Sequence, residues 1–545
     1  MTLQQRLRPY RAAFASRFLQ MLQYRTAAWA GFATQCWWGG IKVMVLAAFY
    51  GSASAAGAPI TLAQAVTYVW LAQGLLALLP WLGDPEVAQA VRSGSVAYDR
   101  LRPVDAYALW YARSAGWIAA RVLPRVALMA AFSAVLLPLA GLSDWAWQPP
   151  AGIAAGAAFA VSAVLALLLS TSMVMLLNIA AAASLNERGI NALAAPVVIV
   201  FSGNLLPLAL LPDAWQALLL LQPLAGVTDI PARIWFGRAR RPRAAGAVDD
   251  GAGGGRPRRD GAHPSPAGGA GRMRHDHAMG SLRLFGRLAA ASLGGQARYP
   301  GSALMLTIGQ FLATGVEVVA VWALFHRFGE VQGWRLGEVA IFYGLVNCMF
   351  AIADALGRGF DVLGTEYLRT GAFDRLLLRP RPLALQLMGH DVRISRLGRL
   401  LQGLGVLAFG TVQAGVAWTP QPVAIALFAL AGGVALFLGI LVLQGTLSFW
   451  TVESLEVANI LTYGGVQAAQ FPLALYARWF RRVLTFAVPL ACVAYYPVLA
   501  VLGKADPLGA PAWLGMVSPL AGFAFLALAF AAWRLGLRRY ASTGS

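Results

Sequence analysis

Long apolar runs separated by short polar segments dominate this chain. In its first half the runs lie near residues 27–50, 61–81, 116–142, 151–180 and 190–211. In its second half they lie near residues 301–325, 338–357, 400–419, 421–449, 457–476 and 511–533. Because ~20 apolar residues suffice for a helix to cross the hydrocarbon core, the pattern predicts an all-α polytopic membrane protein with about 11 transmembrane helices, five followed by six.

A basic amphipathic segment precedes each group of apolar runs. Leu3, Leu7 and Phe14 recur at helical spacing among arginines before the first run, and Leu284 and Leu288 do the same before the second group. Apolar residues at this spacing, with a basic opposite face, are typical of a helix that lies along the membrane surface. We therefore expect an amphipathic entry helix before each bundle.

Charge is scarce in this chain and follows the loops. Of 545 residues, 59% are apolar and 12% are charged, with a formal net charge of +20. Arginines concentrate in the loops at 84–113 and 358–399, whereas those at 51–60 and 143–150 are nearly uncharged. Since positively charged loops stay in the cytoplasm, membrane topology explains the basic charge, and we expect the lipid bilayer and no nucleic acid as a partner.

Three sets of residues recur in both halves. They are Gln35 and Lys42 against Gln310 and Glu317; Arg92, Gly94, Arg102 and Pro103 against Arg369, Gly371, Arg379 and Pro380; and Pro207, Pro223 and Pro231 against Pro472, Pro489 and Pro497. The first two sets keep identical spacing, and the third differs by one residue. A repeat at the same place in the order of spans predicts two parallel tandem bundles, unlike the inverted repeats of many secondary transporters.

The repeat divides the chain into residues 1–236, the first bundle, and residues 281–545, the second. Residues 237–280 are rich in Gly, Ala, Pro and Arg and lack an apolar period, which predicts a disordered linker. The first bundle has no counterpart of the run at 511–533. With this sixth span restored, both termini would be cytoplasmic, and we expect a multi-pass protein of the bacterial cytoplasmic (inner) membrane.

The segment after the second span of each half is the main functional candidate. It contains Arg92, Gly94, Asp99, Arg102 and Pro103 in the first half and Arg369, Gly371, Asp374, Arg379 and Pro380 in the second. Mixed charges, a glycine break and an Arg-Pro end suit a short surface helix that docks on a soluble partner. The alternative is an ordinary positively charged loop, but such a loop needs no fixed spacing, so the repeat favours docking.

Two further groups lie in or beside the spans. Lys42 and Glu317 occupy equivalent places with opposite charge, and they either meet between the halves, line a path, or extend to the membrane surface from helix ends. The prolines at 207, 223, 231, 472, 489 and 497 break their segments, which predicts short half-inserted helices buried in protein.

Catalytic and metal-binding patterns are missing from the sequence. There is no G-x-x-x-x-G-K-[ST] loop, no His-Glu-x-x-His and no Gly-x-Ser-x-Gly elbow. The three cysteines are far apart in apolar stretches, with no metal-ligand spacing. We expect no enzyme activity, no metal and no bound cofactor.

Both halves resemble permeases of the type-2 ATP-binding-cassette exporter superfamily, in the branch where two sister permeases are encoded side by side. The resemblance rests on Arg-x-Gly-x7-Arg-Pro after the second span and on the Pro-Leu-Ala-Leu to Pro-Leu-Ala to Pro series, and it covers almost everything except residues 237–280. It implies six spans per half, outer re-entrant helices, and coupling segments at Arg92 to Pro103 and Arg369 to Pro380 that contact a separate ATPase, which uses the ATP. The fusion and the lost sixth span depart from the family pattern.

The resemblance implies an exporter of a small hydrophobic or cationic compound. A second hypothesis is an ion-coupled secondary transporter in which Lys42 and Glu317 form the coupling pair. A third is a non-transporting membrane scaffold. A neighbouring gene that encodes an ATPase with a Walker sequence would favour the first.

We hypothesise that residues 237–280 are a shifted reading frame through codons that once specified the missing span. Translation of this DNA in the other two frames should then yield an apolar run of about 20 residues. Two frames without such a run would refute the hypothesis.

Overall fold

The computed structural model describes residues 2–23, 25–52, 57–184, 187–237, 279–379, 381–451 and 459–540. These residues fold into helices joined by short turns, and no strand occurs among them. In hydrocarbon a helix satisfies its own backbone hydrogen bonds, so this architecture suits the apolar runs. The predicted linker falls almost wholly outside the described residues.

The first half contains ten α-helices of five or more residues among its described residues. They are α1 (Leu3–Leu22), α2 (Arg25–Tyr50), α3 (Leu62–Gly74), α4 (Pro85–Ser93), α5 (Val96–Arg100), α6 (Ala106–Ala131), α7 (Ile153–Ser184), α8 (Glu187–Phe201), α9 (Asp213–Leu221) and α10 (Asp229–Trp235). A wider turn at Phe132–Leu136 extends α6.

The second half contains twelve α-helices among its described residues. They are α11 (Met279–Ala297), α12 (Pro300–Phe328), α13 (Leu336–Asp361), α14 (Ala372–Leu377), α15 (Leu383–His390), α16 (Arg396–Gln413), α17 (Pro420–Leu447), α18 (Tyr463–Ala469), α19 (Arg478–Arg482), α20 (Tyr496–Leu502), α21 (Leu514–Val517) and α22 (Leu520–Arg539).

Six continuous helical stretches in the described part of the chain are long and apolar enough to cross a membrane. They are Ala106–Leu139, Ile153–Ser184, Pro300–Phe328, Leu336–Leu368, Pro420–Leu447 and Leu514–Arg539. A seventh candidate is the broken pair Arg478–Ala487 and Ala491–Leu502, bent by 84°. The chain is a multi-pass membrane protein, and the division into five and six spans stays a prediction.

Helix α6 begins ten residues before the predicted run at 116–142. Asp105 is its N-cap, and its side chain accepts a hydrogen bond from Ala108 N at 2.6 Å. The first turns carry Arg113 and Ser114, whose polarity hides the helix from a hydropathy pattern. Both residues have protein partners, since Arg113 pairs with Glu86 at 2.8 Å and Ser114 donates to Asp84 at 3.1 Å.

Small residues let the helices pack closely. Between α17 and α22, a Cβ atom on Gly522 would overlap the Gly432 carbonyl oxygen, and one on Gly432 would lie 2.5 Å from Pro519 O. Between α13 and α16, a Cβ on Gly344 would lie 2.5 Å from Leu407 N. Helices in lipid associate largely through such close packing, because lipid removes the hydrophobic drive between them.

The two halves share one apolar core. Each half packs one of its helices on the other half: α12 lies against α8, and α2 lies against α18. At their far ends Phe49 of α2 contacts Phe325 and Phe328 of α12, with ring centroids 5.1 and 5.7 Å apart. A single cluster of buried apolar residues extends from α2 to α20.

The bundle has two distinct ends. One, the basic end, carries α1, α4, α5, α11, α14 and α15, and there Tyr540, just after α22, donates to Asp374 of α14 at 2.8 Å. At the other end, the outer end, Trp235 Nε1 donates to Gln148 O at 3.0 Å. The described residues that flank 238–278 therefore lie at opposite ends of the bundle.

Substitution of Gly522 by Val should destabilise the bundle by about 1–3 kcal/mol, because the added side chain overpacks the contact between α17 and α22. The measurement is the thermal unfolding midpoint of the purified protein in detergent.

Gly405→Val is the matched control, since a Cβ at Gly405 of α16 meets no atom within 4 Å. Equal midpoints for the two variants would contradict the packing described.

Candidate functional site

A cavity of about 70 Å³ lies between the two halves. Residues from α2 and α3, the segment after α8, α12 and α18 line it, so each half contributes to its wall. Most of the lining is apolar. The polar side chains include Lys42, Asn204, Glu317, Gln467 and Gln470.

Lys42 and Glu317 face this same cavity from different halves. Lys42 Nζ donates to Asn204 O at 3.0 Å. Glu317 accepts hydrogen bonds from Tyr343 at 3.1 Å and from Gln470 at 3.4 Å. Each charge interacts electrostatically with the other, although they form no ion pair within 4 Å. The two side chains therefore face one cavity from different halves, and each has its own hydrogen-bond partners.

Two tyrosines lie beside this cavity: Tyr68 lines it, and Tyr343 contacts Glu317. Tyr68 of α3 and Tyr343 of α13 are separated by the same number of positions as Lys42 and Glu317. Tyr343 OH lies 2.7 Å from Thr314 O as well as contacting Glu317. Tyr68 OH lies 2.9 Å from Gly203 O and 3.0 Å from the carboxylate of Asp229.

Asp229 ties the broken region of the first half to the cavity wall. It is 1% exposed, begins α10 and pairs with Arg233 Nε at 2.5 Å. Its carboxylate also accepts from Leu208 N at 3.1 Å. A buried carboxylate needs this many partners, because an unpaired charge in a low-dielectric interior is costly.

Four of the six predicted segment-breaking prolines lie at breaks between helices, whereas Pro231 and Pro497 lie within helices. Pro207 and Pro472 each precede a single tight turn, Leu208–Leu210 and Leu473–Leu475. Pro223 starts the turn Pro223–Gly226, Pro231 lies in α10, Pro489 lies at the 84° break, and Pro497 lies in α20. A functional role for these prolines stays a prediction.

The two predicted coupling segments share a backbone feature at the basic end. Gly94 and Gly371 both have positive φ, 73° and 68°, with ψ near zero. Left-handed backbone favours glycine, since it has no Cβ atom. Each glycine reverses the chain between helical turns, and a short helix follows, α5 or α14.

Polar contacts hold the segment of the first half. Arg92 pairs with Glu187 at 3.4 Å, and Asp99 accepts from Trp110 at 3.0 Å and lies 3.5 Å from Arg102. Pro103 follows in the turn before α6.

In the second half, Arg369 precedes Gly371, and Arg379 follows α14. Asp374 is held by Tyr540, and burial together with this hydrogen bond raises the pKa of Tyr540 to about 12. The phenol therefore stays protonated and donates at neutral pH. Pro380 lies outside the described residues.

Apolar side chains project from both segments. Tyr98 and Leu101 are 72% and 80% exposed, and Leu377 and Leu378 are 45% and 84% exposed. Apolar groups displayed beside arginines on short helices suit a protein contact.

An aspartate eight residues before the first arginine of each segment is hydrogen-bonded to a long helix of its half. Asp84 N donates to Asn178 Oδ1 of α7 at 2.8 Å, and Gln444 of α17 donates to Asp361 Oδ1 at 2.6 Å. Asp361 also pairs with Arg358. Each segment is thereby joined to a long membrane helix.

The entry helix of the first half joins the same network. Arg17 of α1 is 7% exposed, pairs with Glu86 and lies 3.8 Å from Asp84. Close packing supports these charges, since a Cβ atom on Gly116 of α6 would lie 2.5 Å from Phe14 O. The entry helix α11 uses other contacts: Ser292 donates to Val392 O at 3.0 Å.

Metal-ligating side chains do not gather in the described ranges, where no group of three or more His, Cys, Asp or Glu could hold a metal ion.

Comparison with known proteins finds a similarity between the second half and a transporter family. Residues 311–544 match the model of the "ABC-2 family transporter protein". The match supports an ABC-2 permease, and it covers most of α12 and everything described through α22, including the segment from Arg369 to Arg379. The first half lies outside the ABC-2 match. No curated protein and no solved structure matches the chain.

Several residues of the site were not singled out from the sequence. Tyr68 and Tyr343 share the separation of Lys42 and Glu317, and Asp84 and Asp361 share that of Arg92 and Arg369, so the repeat itself could have revealed them. Asp229 has no acidic counterpart in the second half, and its role depends on tertiary contacts.

Substitution of Arg17 by Ala should destabilise the protein by about 1.5–3 kcal/mol, because Asp84 and Glu86 lose a charged hydrogen-bonding partner. Melting of the purified protein in detergent measures the effect.

Arg8→Ala, in an exposed position of the same helix, is the control and should change the midpoint little. A similar loss for both variants would show that general charge matters and the buried network does not.

Proposed function

We propose that this chain is the transmembrane permease of an ATP-binding-cassette exporter in which two sister bundles are fused in tandem. A separate ATPase powers it from below the basic end. The observation that carries the proposal is the matching geometry of the two coupling segments, each with a left-handed glycine and a short helix that displays apolar side chains. The family match over residues 311–544 supports it.

Both coupling segments lie at the basic end of one molecule, as docking to a pair of ATPase subunits requires. Positively charged loops remain in the cytoplasm, so the basic end faces the cytoplasm of a bacterial inner membrane. Closure of the ATPase subunits would press on α5 and α14. Asn178 and Gln444 would then carry this movement to α7 and α17.

The division into bundles at 1–236 and 281–545 is supported by the positions of the linker's flanks. Trp235 lies at the outer end and α11 packs on α15 at the basic end.

The substrate path in this proposal runs between the halves, through the cavity that contains Lys42 and Glu317. Its mainly apolar wall suits a small hydrophobic compound, and the Glu317 carboxylate would balance a cationic one.

An ion-coupled transporter is the second candidate, and the shared cavity of Lys42 and Glu317 favours it. Transport by the chain reconstituted alone under an ion gradient, and abolished by Glu317→Gln, would select this candidate. Transport that needs the ATPase and ATP would select the exporter.

Charge reversal of the coupling segments tests the main proposal. Arg92→Glu combined with Arg369→Glu should reduce copurification of a co-expressed cassette ATPase by about tenfold or more, because the reversal puts negative charge where the proposed contact uses positive charge, at a cost of several kcal/mol.

Arg8→Glu combined with Arg287→Glu, on the two entry helices, is the matched control with the same net charge. Thermal midpoints of both variants monitor folding, since Arg92 also pairs with Glu187. An unchanged complex in a folded double variant would refute the coupling assignment.

A further inference from the structure

A crevice of about 630 Å³ opens at the basic end between the two halves. The first half contributes the end of α7 and the start of α8, through Ser184 and Arg188. The second half contributes the end of α11 and the first turns of α12, through Arg298, Tyr299 and Ser302. This crevice is separate from the Lys42 and Glu317 cavity.

The crevice lies where the spans meet water. The spanning helix α7 ends at Ser184, and the spanning helix α12 begins at Pro300. Farther along α12, Leu304, Ile308 and Phe311 are 59%, 43% and 45% exposed and follow one face at helical spacing. An apolar stripe in the membrane thus begins beside a polar crevice at its surface.

Two arginines converge on the crevice from opposite halves. Arg188 and Arg298 are both exposed, and within the described ranges neither has a carboxylate within 4 Å. The neighbouring Arg92, in contrast, is paired with Glu187. A guanidinium fork matches phosphate oxygens in geometry and charge, and the Tyr299 and Ser302 hydroxyls line the same space.

We propose that this crevice binds the phosphate headgroup of an anionic phospholipid, with the acyl chains along Leu304, Ile308 and Phe311. The two unopposed guanidinium groups demand a ligand with net negative charge. A zwitterionic headgroup carries its own cation and would leave that charge unbalanced. Juxtamembrane arginines are attracted electrostatically to anionic lipid at the membrane surface.

A headgroup held by both arginines would bridge the two halves at the basic end. A smaller crevice of about 160 Å³ shares Arg188 and Ser302 with this one and also contains Arg92 and Glu187. The lipid would therefore lie next to the ion pair between Arg92 and Glu187, which holds the coupling segment of the first half. In that position it can regulate how firmly the segment is held.

The test uses the full chain purified in detergent, titrated with dioleoyl phosphatidylglycerol or dioleoyl phosphatidylcholine and observed by native mass spectrometry. The unmodified chain should retain phosphatidylglycerol in preference to phosphatidylcholine. Arg188→Gln combined with Arg298→Gln should weaken phosphatidylglycerol binding about tenfold, through the loss of charged hydrogen bonds.

Arg8→Gln combined with Arg287→Gln removes the same charge from the exposed entry helices and should leave binding unchanged. Gel filtration and thermal midpoints check that all variants fold. An equal loss in both double variants, or equal binding of the two lipids, would overturn the site.

Inorganic phosphate forms the last arm. Phosphate alone should not displace the bound phosphatidylglycerol at millimolar concentration, because it gains nothing from the apolar stripe. Displacement by phosphate would show an anion site without lipid specificity and would overturn the assignment to lipid.

Discussion

The lack of water inside a bilayer is the constraint on which this structure depends, because each polar group there needs a partner within the protein. The interface between the halves shows how this is met. Lys42 donates a hydrogen bond to the backbone carbonyl of Asn204, which follows α8 in its own half. Glu317 accepts hydrogen bonds from Tyr343 and Gln470. Packing of α2 and α12 on the opposite half brings these groups to one cavity.

The predicted coupling segments are likewise held by polar contacts within the protein. At the basic end, the backbone N–H of Asp84 donates to the side-chain oxygen of Asn178 in α7, and the Asp361 carboxylate accepts from the side-chain amide of Gln444 in α17. The second contact is of the stronger kind, because a carboxylate accepts it. Both contacts join a short segment at the basic end to a long membrane helix.

Much of the architecture could be predicted from the sequence, since long apolar runs have few alternatives to helices in lipid. The segment that includes Arg113 and Ser114 could not, because hydropathy does not reveal that Glu86 and Asp84 satisfy them. The repeat predicted that Lys42 is equivalent to Glu317 and that Gly94 is equivalent to Gly371. It did not predict Asp229, whose partners Tyr68, Leu208 and Arg233 come together only in the fold.

The opposite charges at one cavity have a consequence for pairing. Two copies of the first half would bring two ammonium groups to the same poorly solvated space, and two copies of the second would bring two carboxylates. Either self-association pays for like-charge repulsion that the mixed pair avoids. The central charges thus disfavour homodimers of either half. Covalent linkage of the two halves enforces the same one-to-one stoichiometry.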